Sequence, residues 1–370
     1  MKIGCLGISN SIDRMFRVTA HFIESAIFEQ YSGFYRGEYI RMIVVTGAAG
    51  LIGSAVVREL NNREETDILL VDHLSTSEKW LNLRSLKFSH YMERDAFIKT
   101  IQNNPDLPEG DLRDAKAIIH LGACSSTMEM DVAYLIQNNY EYSRLLAEFA
   151  RTNSIRMVYA SSAATYGDGN NGYEDDEKKL NLLRPLNPYG YSKHLFDLWL
   201  QKRGFDTNFA GIKYFNVFGP NEYHKGNMQS LVLKAFRQIQ RDGVIRLFKS
   251  YNPNYGDGKQ ERDFFYVSDA AKITVSLALD LKDTGGIFNA GSGEAKTWIE
   301  LAESIFDAMG KKSKIEFIDM PEELRNRYQY YTCAPMEKLF NTGYASKATP
   351  LRDAVREYVA DYLMKNELRA

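Results

Sequence analysis

A short apolar run followed by regularly spaced glycines constrains this chain more than any other feature. Met42 to Val45 has the composition of a buried strand, and Thr46-Gly47-Ala48-Ala49-Gly50-Leu51-Ile52-Gly53 follows it directly. In such a pattern the first glycine makes a tight turn, the second lets a ligand approach the main chain, and the third lets the next helix pack against the strand. The glycines alone are also compatible with an ordinary strand-to-helix loop.

The segment after the glycines favours a phosphate-binding turn. A helix is predicted over 51–62, and Asp67 to Asp72 then predicts a second buried strand that ends in an acid. A helix N-terminus binds pyrophosphate, and an acid at this point of a βαβ unit accepts hydrogen bonds from an adenosine ribose. We therefore predict a dinucleotide site that includes Gly47, Gly50, Gly53 and Asp72.

Apolar runs alternate with helical stretches over most of the chain, which predicts an α/β fold. The predicted strands are 42–46, 67–72, 117–121, 156–161, 209–215 and 287–290. The predicted helices are 51–62, 131–153, 189–202, 227–242, 269–281 and one from Leu351 to the end. This order predicts a Rossmann-type, doubly wound parallel sheet with a smaller C-terminal α/β substrate-binding lobe. We assign 42–218 with 264–291 to the dinucleotide-binding domain, 219–263 with 292–370 to the lobe, and 1–41 to an N-terminal extension that is not a signal peptide.

Composition excludes several classes of function. The chain has 370 residues, 44% of them apolar, and a net charge of -2, which argues against nucleic acid or an anionic membrane as a partner. Cys5, Cys124 and Cys333 are too few and too far apart for a disulfide framework, so we expect plain thiols in a reducing cytoplasm. No histidine spacing suits a metal, and no apolar run is long enough to span a bilayer.

Downstream of the glycine turn, the sequence contains a serine, a tyrosine and a lysine that could together exchange protons with a substrate. Ser162 lies at the end of a predicted strand, and Tyr189 and Lys193 are one turn apart at the start of a predicted helix. We expect the Lys193 ammonium to lower the pKa of the Tyr189 phenol and the Ser162 hydroxyl to bond the reacting oxygen. In isolation, the tyrosine-lysine pair is also common on surface helices.

Seven motifs together resemble one enzyme family. They are His120 to Thr127, Asn138-Asn139-Tyr140, Tyr159 to Gly167, Tyr189 to Phe196, Tyr214 to Pro220, His224-Lys225-Gly226 and Arg262-Asp263-Phe264. On these residues the chain resembles the extended short-chain dehydrogenase/reductase superfamily and, within it, the ADP-L-glycero-D-manno-heptose 6-epimerases. The resemblance extends over 42–368 and does not include 1–41.

The resemblance implies an isomerase that interconverts ADP-D-glycero-β-D-manno-heptose and ADP-L-glycero-β-D-manno-heptose, a step toward the lipopolysaccharide core. Carbon C6'' is oxidised transiently by a tightly held NADP and then reduced on its other face. Two proton-exchanging groups are needed, and the resemblance makes them Tyr189, assisted by Lys193, and Lys225. Taken alone, Lys225 is equally compatible with a solvated surface charge. The family also implies a homo-oligomer, often a pentamer.

The choice between NADP and NAD depends on a few side chains. Asp72 favours NAD because a carboxylate repels a 2'-phosphate. Lys79 and Arg94 align with basic residues that the family uses near that phosphate, and His73 stands where asparagine is common, so we expect NADP, with NAD as the alternative. By resemblance, the other cofactor contacts are Leu51, Ile52, Leu121, Gly122, Ala123, Cys124, Ser125, Asn138, Lys193, Val217 and Lys225.

The resemblance also suggests a set of substrate-binding residues. They are Asn216, Asn227, Lys234, Phe248, Lys249, Ser250, Tyr251, Arg262 and Tyr328. Arg262 is expected to pair with the diphosphate, whereas Tyr328 could equally pack between lobes. Asn227 and Lys234 replace a serine and a histidine of better-known members, and 252–259 resembles an insertion.

Three other functions remain open. A nucleotide-sugar 4-epimerase needs only one proton-exchanging tyrosine. A 4,6-dehydratase needs an additional acid next to the active-site serine, but Ala163 and Ala164 follow Ser162. A non-catalytic NADP-binding protein on this fold commonly lacks the tyrosine-lysine pair, which is present here.

Overall fold

The computed structural model describes residues 42–103, 106–107, 110–325 and 328–365. The predicted extension 1–41, Cys5 and the last residues of the predicted C-terminal helix lie outside these ranges. Within them, no helix is both long and apolar enough to cross a membrane.

The described chain alternates strands and helices. The strands are β1 Ile43–Thr46, β2 Ile68–Asp72, β3 His90–Glu93, β4 Asp106–Leu107, β5 Gly110–Asp111, β6 Ala117–His120, β7 Met157–Ser162, β8 Phe209–Tyr214, β9 Asn216–Phe218, β10 Ile245–Phe248, β11 Glu261–Tyr266, β12 Gly286–Ala290, β13 Ala295–Thr297 and β14 Ile315–Ile318. The helices are α1 Leu51–Asn62, α2 Arg94–Asn103, α3 Val132–Leu135, α4 Tyr142–Thr152, α5 Pro188–Arg203, α6 Leu231–Asp242, α7 Val267–Leu279, α8 Trp298–Ala308, α9 Glu322–Arg325, α10 Glu337–Phe340 and α11 Leu351–Arg356. A π-helical segment, Ile136–Glu141, joins α3 to α4, and another, Glu357–Leu363, continues α11.

The main sheet has seven parallel strands in the order β12-β8-β7-β6-β1-β2-β3. Val44 of β1 pairs with Leu69 on one side and with Ile118 on the other, so the strand order reverses at β1. This topology confirms the predicted Rossmann-type fold. All the strands predicted from the sequence lie in this sheet. The edge strand β3 was missed because His90 to Glu93 contains no apolar run.

The two faces of the sheet are covered by different helices. Ile43 and Val45 pack with α1 and α7 on one face, whereas Val44 packs with α2, α4 and α5 on the other. Side chains alternate between faces along a strand, and both faces here are buried, which explains the continuous apolar runs in the sequence.

A third apolar core lies beyond the main sheet. It joins α6, α8, β10 and the C-terminal segment through Phe236, Leu247, Ile305 and Tyr358. Beside it, β10 pairs with β14 in parallel, and β11 pairs with β9 and with β13. Neither β10 nor β11 was among the strands predicted from the sequence. The domain boundary drawn between 263 and 264 falls inside β11, and the division into lobes stays a prediction.

Helix α6 begins later than its pattern predicts. It was expected from residue 227 but starts at Leu231, where the Ser230 hydroxyl accepts a hydrogen bond from the amide of Leu233. The preceding residues form a 3₁₀ turn, Tyr223–Met228, interrupted at Gly226, whose φ is +51°. A cap at Ser230 and a left-handed glycine therefore separate this turn from the helix.

A buried ion pair fixes α5 against the sheet. Lys213 on β8 and Asp197 on α5 are both fully buried, and their charged atoms are 2.7 Å apart. Asp197 also accepts hydrogen bonds from the hydroxyls of Tyr159 and Ser161, and Lys213 donates to Thr165. Each charge is thus compensated within the protein, which makes the pair costly to break from one side.

We expect Lys213→Met to lower the free energy of unfolding by about 3–5 kcal/mol, because Asp197 is left buried without its counter-ion. Chemical denaturation measures this change. Lys179→Met is the matched control, since Lys179 and Glu174 form an exposed pair at 3.7 Å and its loss should cost about 0.2–1 kcal/mol. Equal losses in the two variants would contradict a stabilising role for the buried pair.

Candidate active site

The glycine turn after β1 is sterically closed to larger side chains. Gly47 has a φ of +68°, and a Cβ there would lie 2.7 Å from the amide nitrogen of Gly122. A Cβ on Gly53 would overlap the carbonyl oxygen of Gly47, and one on Gly50 would approach it to 3.2 Å. Gly53 is therefore required by the close approach of α1 to the turn after β1, as the sequence predicted, and Gly47 is required by the conformation of the turn and by its contact with the loop after β6.

A cleft of about 540 Å³ lies above the carboxyl ends of β1, β2, β6, β7 and β8. The predicted cofactor and catalytic residues all line it, and the structure thus brings them together. They are Gly47, Gly50, Leu51, Ile52, Gly53, Asp72, His73, Lys79, Arg94, Leu121, Gly122, Ala123, Cys124, Ser125, Asn138, Ser162, Tyr189, Lys193, Val217 and Lys225. Sequence reasoning missed other lining residues, among them Thr127, Tyr134 and His224. An elongated cleft at the switch point of a doubly wound sheet, with a glycine cradle at its base, fits a dinucleotide.

Asp72 is engaged on both of its carboxylate oxygens. Oδ2 accepts a hydrogen bond from the amide of Ala49, and Oδ1 accepts one from the amide of His73. Lys79 Nζ lies 2.6 Å from Oδ1. The negative charge of Asp72 is therefore compensated by a lysine, a partner that the sequence analysis assigned directly to a phosphate. Arg94, by contrast, donates hydrogen bonds to the side chains of Asp95 and Asn138.

The group around Tyr189 differs in one respect from our expectation. The phenol is hydrogen-bonded to Ser162, but its pKa is raised, because burial outweighs that hydrogen bond. We predicted that the Lys193 ammonium would lower the pKa of Tyr189, and this was wrong. Lys193 instead donates to the carbonyl of Ala160 at 2.9 Å, and burial lowers the pKa of its ammonium to about 8. Desolvation favours the neutral form of each group.

Lys225 lies on the 3₁₀ turn and reaches the same cleft. Burial lowers the pKa of its ammonium, the nearby Glu222 carboxylate raises it, and Lys234 lowers it further. A lysine can act as a base only where desolvation or a neighbouring cation lowers its pKa, and both lower the pKa of Lys225 here. The role of Lys225 stays a prediction.

Asn139 is a residue whose role the sequence analysis missed. It is fully buried, and its side chain bonds both the amide and the carbonyl of Cys124. It also donates to Ser192, whose hydroxyl in turn donates to the carbonyl of Tyr189. Asn139 thus connects the cleft loop after β6 to the first turn of α5. The Asn138-Asn139 motif was the available signal, but only Asn138 was assigned to the site.

Cys124 is a half-buried thiol in the cleft wall, and burial raises its pKa. This environment does not activate a nucleophile. Among the described residues, no group of three or more His, Cys, Asp and Glu side chains is arranged to hold a metal ion.

The predicted substrate residues do not line this cleft. The guanidinium of Arg262 is buried and lies 5.2 Å from the ring centroid of Tyr328 and 5.8 Å from that of Trp298. The indole of Trp298 donates to the Tyr328 hydroxyl at 2.8 Å, so Tyr328 packs beside Arg262. Burial lowers the pKa of Arg262.

Two further groups of predicted substrate residues contact each other. Lys249 and Tyr251 both bond Asp319, each at 3.1 Å. Lys234 donates to the carbonyl of Asn227 at 2.7 Å. The remaining predicted substrate residues are the exposed Asn216 at the start of β9, the half-buried Phe248 at the end of β10, and Ser250, whose amide donates to Asp257.

Comparisons with known proteins agree with this geometry. A model of the NAD-dependent epimerase/dehydratase family matches residues 43–291. The chain belongs to this family. It is 48% identical to the ADP-L-glycero-D-manno-heptose-6-epimerase of Nitratidesulfovibrio vulgaris strain DP4 over 87% of this chain and 98% of that protein. It is 41% identical to the Fusobacterium nucleatum protein of the same name over 88% and 99%. It is therefore an epimerase, an isomerase of the heptose-6-epimerase group.

Solved structures share the fold of this epimerase. The Helicobacter pylori ADP-L-glycero-D-manno-heptose-6-epimerase superimposes with a TM-score of 0.70 at 23% identity, over 87% of this chain and 96% of that one. The UDP-N-acetylglucosamine 4-epimerase of Methanobrevibacter ruminantium gives 0.72 at 24% identity, over 88% and 99%. Since both epimerases have this fold, the fold alone does not select the substrate.

We expect Asn139→Ala to destabilise the epimerase and to weaken its hold on a dinucleotide. The amide and the carbonyl of Cys124 lose their partner, at a cost of about 1–3 kcal/mol for a buried group. Chemical denaturation and the nucleotide content of the purified protein measure the two effects. Asn153→Ala, which removes a side-chain bond to the carbonyl of Phe149 far from Cys124 in the sequence, should leave the nucleotide content unchanged. Full nucleotide content in Asn139→Ala would argue against the connection.

Proposed function

We propose that the epimerase interconverts ADP-D-glycero-β-D-manno-heptose and ADP-L-glycero-β-D-manno-heptose by transient oxidation at C6''. Relatives with this name match the chain over nearly their whole length. The observation that carries the proposal is that Tyr189 and Lys225 line one cleft. Inversion at a carbinol carbon needs proton exchange on both faces, because the hydroxyl lies on opposite sides in the two epimers.

The two side chains are suited to complementary roles. Burial raises the pKa of Tyr189 and lowers that of Lys225, so desolvation favours the protonated phenol and the unprotonated amine. Ser162 is hydrogen-bonded to Tyr189 and orients the phenol toward the substrate oxygen. A nicotinamide cofactor, which Gly47, Gly50 and Lys193 at the cleft would hold, would supply the hydride transfer at C6''. Arg262 is proposed to bind the diphosphate, since the guanidinium is buried beside aromatic rings.

We further propose that the cofactor is NADP. Lys79 offsets the charge of Asp72, which would otherwise repel a 2'-phosphate, and Arg94 lines the same part of the cleft. An arginine forks onto phosphate oxygens with two parallel hydrogen bonds. NAD is the alternative that the carboxylate of Asp72 favours.

A nucleotide-sugar 4-epimerase is the second candidate, because proteins with that activity share the fold. Such a reaction needs one proton-exchanging tyrosine and leaves Lys225 without a role in the chemistry. The dehydratase alternative has less support, since the turn after Ser162 contains Ala163 and Ala164.

Lys225→Met discriminates between the two epimerases. With ADP-D-glycero-D-manno-heptose as substrate and NMR of the C6'' configuration, we expect wild-type protein to reach an epimer mixture and the variant to be slower by about 100-fold or more. Lys202→Met, an exposed lysine on α5, serves as the control. Full activity of Lys225→Met would rule out the two-base reaction.

The cofactor proposal has its own test. Denaturing the purified epimerase should release NADP, identified by mass spectrometry. We expect Lys79→Met to lower the ratio of bound NADP to NAD by roughly tenfold, because an uncompensated Asp72 repels the 2'-phosphate. Arg84→Met removes an exposed cation from the neighbouring connection and should leave the ratio unchanged. Release of NAD alone from wild-type protein would contradict the proposal.

A further inference from the structure

A fully buried carboxylate lies next to the turn that carries Lys225. Glu222 has no exposed surface, although its ordinary place would be in water. One carboxylate oxygen accepts a hydrogen bond from the amide of Ser230 and the other from the Ser230 hydroxyl. The second oxygen also accepts one from the hydroxyl of Tyr358, at 3.1 Å. Burying a carboxylate is costly unless hydrogen-bond donors compensate the loss of water, and these three donors do so for Glu222.

These bonds close the segment 222–230 into a loop. Within it, the amide of Lys225 donates to the carbonyl of Glu222 at 3.0 Å. The amide of Gln229 donates to the carbonyl of Gly226, and its side chain donates to that of Tyr223. Ser230 is at the same time the N-cap of α6. The loop that carries Lys225 is therefore held at both of its ends, by Glu222 and by Ser230.

Tyr358 connects this loop to the C-terminal segment. Its ring is fully buried in the core that joins α6, α8 and the C-terminal π-helical segment. The hydrogen bond to Glu222 thus attaches the loop to a packed core and not only to itself. This attachment holds the backbone of the short turn in place, and with it the point from which the half-buried Lys225 side chain extends.

We propose that Glu222 is a positioning residue of the epimerase: it closes the loop 222–230 against Ser230 and Tyr358 and so holds the Lys225 amine at the cleft. The proposal rests on the proposed function, because it gives Lys225 a reaction to serve. Glu222 does not line the cleft and acts through Lys225.

The charge of Glu222 supplies a specific readout. Its carboxylate raises the pKa of Lys225, against burial and Lys234, which both lower it. The other groups near this pair are Tyr358, which bonds Glu222, and Tyr223, which bonds Tyr358. Tyr189, Lys193, His224 and Cys124 line the same cleft as Lys225. Removing only the charge of Glu222 therefore lowers the pKa of Lys225 further.

Glu222→Gln and Glu222→Ala separate geometry from charge. Glutamine can bond the Ser230 amide through its oxygen and the two hydroxyls through its nitrogen, so we expect it to keep most of kcat. Alanine removes all three bonds, and we expect kcat to fall roughly 10- to 100-fold with a smaller change in KM. If alanine prevents folding, the glutamine variant decides alone.

The pH dependence of kcat for Glu222→Gln is the decisive measurement. In the reaction direction in which the Lys225 amine accepts a proton, its pKa should appear on the acidic side of the pH profile of kcat. In the reverse direction it should appear on the basic side. Both limbs should move to lower pH. Glu357→Gln is the control, because Glu357 is also a carboxylate that accepts a tyrosine hydroxyl, that of Tyr266, and it should leave both limbs in place.

Wild-type protein and Lys225→Met are measured in parallel. A Glu222→Gln profile that superimposes on the wild-type profile, while Lys225→Met is inactive, overturns the role of Glu222 and leaves the proposed function intact. Wild-type protein that does not invert C6'' removes the basis of both.

Discussion

The close contact between β1 and α1 is the constraint on which the rest of the site depends. Because Gly53 has no side chain, α1 starts against the turn that follows β1, and because Gly47 has none, that turn packs against the loop after β6 and lines the cleft. Two buried residues form hydrogen bonds to the main chain of that turn. Asp72 accepts from the amide of Ala49, and Asn82 donates to the carbonyls of Ala49 and Asn221. The glycine turn is thereby connected both to Asp72 at the end of β2 and to the chain just before Glu222.

The two residues that we propose exchange protons are held by different kinds of polar contact. Tyr189 lies on α5, which is fixed to the sheet by the buried pair of Asp197 and Lys213 and to the neighbouring loop by Asn139. Lys225 lies on a short turn outside the main sheet, which is attached by hydrogen bonds to one buried carboxylate and by packing of Tyr223 against the third core. Buried polar groups of this kind are costly when one partner is lost, so they specify a single arrangement of the two side chains.

The sequence predicted the parts of this protein that depend on local pattern. Strands buried on both faces have continuous apolar runs, and the roles of Gly47 and Gly53 follow from backbone geometry, so the main sheet and the turn were predicted correctly. Strand β3 and strand β10 were missed because half-exposed strands carry a weaker apolar signal. The partners of Lys79 and Asn139, and the pKa of Tyr189, depend on residues distant in sequence, which no local pattern records.

Desolvation explains why one cleft can hold both a donor and an acceptor of protons. A phenol and an amine respond to burial in opposite directions: the pKa of Tyr189 rises and that of Lys225 falls, and both groups are driven toward their neutral forms. In the proposed reaction this resting state has one proton to give, on Tyr189, and one site to receive, on Lys225. After one inversion the phenol is left ionised and the amine protonated, which burial disfavours for both. Burial therefore favours the return of the proton from Lys225 to Tyr189, which restores the neutral form of each group.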